Sequence, residues 1–173
     1  MAPIALGDVC ALFDFRMLVE PRAAALLAFA AAQDDRSVDP FRELLDRLDD
    51  FEKSFRAREQ RQQARSLQDF YELSDAFDRA MIAECRNAYL ARTISDLRSE
   101  TSRLRHLAHS GPWRMLTSLG EHRAMLRAIT RGDARAAEAA CRHHLEQTLQ
   151  ALLTSLSGQD FPGGSDVRPA GVI

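Results

Sequence analysis

The stretch Phe41-Arg42-Glu43-Leu44-Leu45-Asp46-Arg47-Leu48-Asp49-Asp50-Phe51-Glu52-Lys53-Ser54-Phe55 decides the fold class. Its apolar residues recur at three and four positions, which gathers them on one face of an α-helix and would scatter them over both faces of a strand. Asp39-Pro40 precedes it, an N-cap followed by a proline suited to the first turn. The same period runs outward in both directions. On the N-terminal side, Asp8 predicts the cap of a helix through Val9, Leu12, Phe13, Arg16 and Met17. Pro21 predicts a kink or a fresh helix start near Glu20, and the Ala-rich run from Arg22 to Ala32 continues as helix. Gln33 to Val38 is a polar loop. On the C-terminal side, Arg56 to Arg65 fits solvated helix and loop equally. Ser66 then predicts the cap of a helix bearing Leu67, Phe70, Tyr71, Phe77, Met81 and Ile82. The pattern breaks at Arg86-Asn87 and resumes with Leu90, Ile94, Leu97, Leu104 and Leu107. Gly111-Pro112 marks a turn, Trp113 to Thr130 a helix, and Arg131-Gly132-Asp133 a glycine stop followed by a new cap. The last helix runs from Ala134 to about Leu156. No strand pattern occurs. The expectation is an all-α antiparallel bundle of six or seven helices over residues 6–156, with 157–173 a disordered tail rich in Gly, Pro, Ser and Asp.

Composition narrows the function. The 173 residues suit one domain, and 46% hydrophobic with 28% charged is ordinary for a globular chain. No apolar run reaches 18 residues and no basic leader precedes one, so neither a membrane span nor an export signal is expected; the compartment implied is the cytoplasm. A net charge of −2 argues against this segment gripping nucleic acid by itself. Cys10, Cys85 and Cys141 are odd in number and far apart, which predicts free thiols rather than a disulfide framework.

Polar residues on apolar faces carry the functional information, because burying them is costly without a partner. Ser74 and Asp78 lie one turn apart on the stripe of Phe70, Phe77 and Met81. His122 sits amid Met115, Leu119, Leu126 and Ile129, and His144 amid Ala137, Cys141, Thr148 and Leu152. His143, rotated by about 100°, points elsewhere. Three helices thus aim polar groups inward. A polar pocket for a divalent metal or a small acid is one reading; ordinary buried hydrogen bonding is the other. Arg16 either pairs with Glu20 at helical spacing or binds a ligand carboxylate through its guanidinium. The acidic cluster Asp46, Asp49, Asp50 and Glu52 reads as a solvated face, and Trp113 as a packing anchor. There is no HExxH, phosphate loop or nucleophile elbow. Two other classes stay open: a metal-dependent enzyme using Asp78, His122 and His144, and a purely structural helical module.

Several blocks together resemble a known family. Leu12-Phe13-Asp14-Phe15-Arg16, then Leu18-Val19-Glu20-Pro21 and the Ala-rich run, resemble the opening of the FCD effector-binding domain of GntR-superfamily transcription regulators. Phe77-Asp78-Arg79-Ala80, Asn87, Leu90, Glu121-His122-Arg123-Ala124, Ala128-Ile129, Gly132-Asp133, Ala136-Ala137 and His144-Leu145 follow in the family's order and spacing, from about Leu6 to Leu152. The resemblance implies an FCD-like bundle that forms a homodimer, senses a small-molecule effector such as an organic acid, and meets operator DNA through an N-terminal winged-helix domain that this chain lacks. It also implies a divalent metal, zinc or nickel, on an Asp-x3-His pair and two later histidines. His122 and His144 match the later positions, but Ser74 stands at the Asp position and Asp78 at the His position. Two arrangements stay open: a metal on Asp78, His122 and His144, or a metal-free pocket in which Arg16 and a histidine meet the effector's carboxylate. The expected ligand-binding residues are therefore Arg16, Ser74, Asp78, His122 and His144.

Overall fold

The computed structural model describes residues 6–57, 63–108 and 112–159. Six α-helices follow one another: α1 (Leu6–Ala31), α2 (Asp39–Ala57), α3 (Gln63–Glu84), α4 (Ala88–Ala108), α5 (Pro112–Thr130) and α6 (Ala134–Gln159). A short 3₁₀ turn, Asp35–Val38, lies within the expected loop before α2. No strand occurs among the described residues.

The helix ends follow local chemistry. Asn87 caps α4, its Oδ1 accepting the N–H groups of Tyr89 (3.1 Å) and Leu90 (3.2 Å). Asp133 caps α6 by accepting the Ala136 N–H at 2.9 Å. Between α5 and α6, Gly132 has φ 72°. The Gly132 N–H donates to the Ile129 carbonyl and the Asp133 N–H to the Ala128 carbonyl, both at 3.0 Å. These two bonds are the Schellman closure that a left-handed glycine permits.

Four expected boundaries differ. α1 begins at Leu6, so Asp8 lies inside the first turn, where its charge still favours the helix dipole. α1 is also one helix: Pro21 sits inside it, with no fresh start near Glu20. Pro21 itself is buried, and the small side chains after it (Ala23, Ala24, Ala28, all 0% exposed) seat α1 against the rest of the core. Packing over this length outweighs one missing backbone hydrogen bond. α3 begins at Gln63, ahead of Ser66, which is buried in its first turn rather than capping it. At the C-terminus α6 runs to Gln159, so Ser157 to Gln159 are helix rather than tail, and 160–173 lie outside the described residues, as do 58–62 in the Arg56–Arg65 stretch.

α1 makes its largest pairing with α6, and α6 packs next most extensively on α5; α2 closes over α5 and α3, while α4 bridges α6, α1 and α3. The core runs through all six helices, from Phe13 and Phe41 to Phe70, Leu126, Leu145 and Leu152. Phe41 and Phe51 are buried in this core, with Phe55 stacked on Phe51 at 6.0 Å. The acidic cluster on α2 is not wholly solvated. Arg123 of α5 donates to Asp49 (2.8 Å) and Glu52 (2.5 Å), tying α2 to α5. Cys85 and Cys141 are buried and Cys10 partly so, all three as free thiols. The Trp113 side chain lies outside the described residues.

Candidate functional site

α1, α3, α4, α5 and α6 enclose a cavity of about 30 Å³. Arg16, Ser74, Asp78, His122 and His144 all line it. Helical periodicity places each of them: one-turn spacing puts Ser74 and Asp78 side by side on α3, and the stripes of α5 and α6 turn His122 and His144 to the same interior. His143 is exposed.

The imidazoles of His122 and His144 form part of the lining. His122 lies between Phe77 and His144, with ring centroids 5.0 Å and 4.6 Å away. His144 is oriented from behind: its Nδ1 lies 2.6 Å from Glu121 Oε2. A carboxylate only accepts, so Nδ1 carries the proton, and in the neutral ring Nε2 is the acceptor. Glu121 is fixed in turn by Arg114, which donates from Nη1 (3.0 Å) and Nη2 (3.1 Å) and also reaches Thr148 Oγ1 at 3.1 Å.

The lining is also ionic. Arg16 donates Nε and Nη2 to Glu20 at 2.6 Å and 3.2 Å, so the helical pair exists and its guanidinium also borders the cavity. Burial opposes the charge on Arg16, but Glu20 beside it outweighs burial and raises its pKa further. Asp78 receives a hydrogen bond from Arg105 Nη2, while Arg105 Nη1 donates to Asp75 at 2.8 Å. Burial raises the Asp78 pKa above the ordinary carboxylate value despite Arg105, and Glu20 adds to the rise. Cys141 lies within the same field; burial pushes its thiol well above 9.0, which keeps it protonated and a poor nucleophile. Ser74, also in the lining, is 3% exposed and its Oγ has no hydrogen-bond partner.

The donor set does not fit a metal. The Asp78 carboxylate is committed to a guanidinium, Ser74 offers only a neutral hydroxyl, and no three His, Cys, Asp or Glu among the described residues are placed to hold one ion. The expected trio Asp78, His122 and His144 therefore shares a cavity without forming a ligand set. Arg105, Arg114 and Glu121 escape the sequence reading as site residues. Glu121 stands beside His122, and Arg98 and Arg105 recur at seven residues on α4, but neither pattern reveals the partner across the helix interface.

The FCD domain family matches residues 11–147. Among solved structures, the metal-free FCD domain of TM0439, described as a transcriptional regulator, is similar with a TM-score of 0.71. It shares 17% identity, and the match covers 91% of this chain and 99% of that one. At that identity the likeness carries the fold. No curated protein matches the chain in sequence.

Proposed function

The chain belongs to the FCD domain family, and from that premise we propose that it is the effector-sensing, dimerising module of a cytoplasmic transcription regulator. The effector is a small organic acid, bound without turnover. One observation carries this reading. The Ser74 hydroxyl is buried without a partner at the edge of a cavity lined by Arg16, Asp78, His122 and His144. An orphaned buried hydroxyl costs about 1–3 kcal/mol, which a ligand oxygen would recover. The cations and imidazoles around it suit a carboxylate. With the donor set as arranged, the pocket works without a metal.

The second copy is assigned to α1. Phe15, Leu18 and Phe29 are 44%, 74% and 60% exposed. At 100° per residue they fall within about 60° of one another, a single apolar stripe. Phe41 and Phe51 of α2, by contrast, are buried inside the chain.

Thermal denaturation with acetate, malonate, succinate and benzoate tests the reading. A ligand at about 100 times its Kd stabilises by about 2.7 kcal/mol, several degrees in Tm. At least one acid is expected to raise Tm and remain chemically unchanged. Turnover that is lost in His122→Ala and His144→Ala would favour the enzyme, and no shift with any acid would leave a structural helical module.

A further inference from the structure

The cavity as enclosed is too small for the ligand proposed above. About 30 Å³ is room for about two water molecules, whereas even a two-carbon acid has four heavy atoms. Something in the wall has to move. On the outer face of α3 and α4 lies a groove of about 230 Å³, open to solvent and flanked by Tyr71, Asp75 and Ser102. Among the described residues, Arg105 is the one side chain common to the linings of groove and cavity. It is the partition between them.

Its hydrogen bonds suit a partition that opens. Nη2 holds Asp78 on the cavity side, and Nη1 holds Asp75 on the groove side at 2.8 Å. Asp75 does not depend on Arg105 alone, because Arg98 and Arg79 each lie 3.4 Å from its carboxylate. Releasing Asp75 therefore strands no charge, and the site is half exposed enough for water to assist. Releasing Asp78 would be harder, since it is the inner and less solvated partner. Swinging a flexible side chain needs no backbone displacement. Once Nη1 leaves Asp75, the guanidinium keeps Asp78 and has a donor to offer to another carboxylate.

We propose that Arg105 is both the door through which the effector enters, from the α3/α4 groove, and the cation that holds its carboxylate once inside. The inference rests on the carboxylate-sensor reading. It gives the positive charge of this pocket to a guanidinium from α4, where a metal site would have used Asp78 as a ligand. The effector's second oxygen is then within the cavity that presents the unpartnered Ser74 hydroxyl.

Calorimetry with malonate and succinate, in buffer containing EDTA, tests the anchor on the full chain. Arg105→Gln is expected to weaken binding by about tenfold or more, the scale of a lost charge-assisted hydrogen bond. Arg105→Lys, which keeps the charge and loses the planar fork, is expected to fall between the two and serves if the glutamine variant does not fold. Stopped-flow association tests the door: Asp75→Asn, which loosens the outer latch, is expected to bind faster than wild type. A smaller loss in Arg105→Gln, binding that needs added zinc, or an unchanged association rate in Asp75→Asn would overturn the inference and leave the sensor reading intact. Failure of wild type to bind any of acetate, malonate, succinate and benzoate would overturn both.

Discussion

Asp78 is held between opposing influences, and its titration can report them. Burial and the nearby Glu20 carboxylate resist its ionisation, while Arg105 and Arg16 favour it; burial prevails and the folded-state pKa is raised above 3.8. For an acid with a raised pKa, the folded state binds the proton more tightly than the unfolded chain. The stabilising contribution is complete below the unfolded value and is lost as pH rises through the folded one. Asp78→Asn removes this titration. Whatever its stability at pH 3.5, the variant is expected to gain on wild type as pH rises from about 4 towards neutrality, as the shift predicts. Denaturant melts at intervals across that range would check it, and a constant difference between the two proteins would refute it. Asp75 runs the other way: its three arginines overcome burial and lower its pKa, so its contribution is lost as pH falls. At this scale the sequence was informative for the residues on the stripes. Ser74, Asp78, His122 and His144 turn inward because their spacing demands it. Arg105, Arg114 and Glu121 act from the flanks of their helices through long side chains, so their roles depend on partners that periodicity does not disclose.

Among the elements, the α5–α6 junction shows how one glycine sets a helix pair. Gly132 takes φ 72°, which an L side chain adopts only at a cost of about 1–2 kcal/mol. A Cβ there would also lie 2.9 Å from the Ala32 Cβ and 3.2 Å from its backbone Cα. Both effects act together, so Gly132→Ala is expected to destabilise by about 2–5 kcal/mol, the sum of the αL cost and an overpacked contact. Gly120, within α5, is the control. It is exposed, a Cβ would meet nothing within 4 Å, and the backbone is helical. Gly120→Ala is expected to stabilise by about 0.5–1 kcal/mol. Chemical denaturation of both variants reads the contrast, and equal effects would show that the turn is not the constraint. Arg131-Gly132-Asp133 was legible as a stop and a cap because both signals are local. The continuity of α1 was only one of two readings open at Pro21. Pro21 is a local breaker, and the opposing force comes from alanines packed against distant helices. The helix starts at Leu6 and Gln63 were missed for a related reason: Asp8 and Ser66 are good caps, but each stands inside its helix.

For the whole molecule, the all-α class followed from one stretch of α2, while the convergence of five helices on a cavity did not follow from any stretch. Each stripe specifies which face is buried, and only the packing of α1, α3, α5 and α6 specifies that the polar gaps in those stripes meet. Apolar residues left outside the packing are equally invisible to periodicity. Phe15, Leu18 and Phe29, which the stripe of Val9, Leu12, Phe13 and Met17 leaves out, face solvent in the single chain. Three large apolar side chains in line on one helix are a poor surface for a monomer and a good one for self-association about a two-fold axis. Arg22, also exposed on α1, falls within the stripe between Leu18 and Phe29, and the exposed Asp14 lies at its edge. In an isologous contact the same patch appears twice, so a single change acts at two places. Leu18→Asp is therefore expected to convert a dimer into a monomer, since each copy would bury a charge against an apolar stripe. Because Leu18 is 74% exposed within the chain, the fold of the monomer should remain. Light scattering after size exclusion would give twice the chain mass for wild type and the chain mass for the variant, with matching helical circular dichroism. A wild-type monomer at micromolar concentration, or a variant that stays dimeric, would remove α1 as the contact.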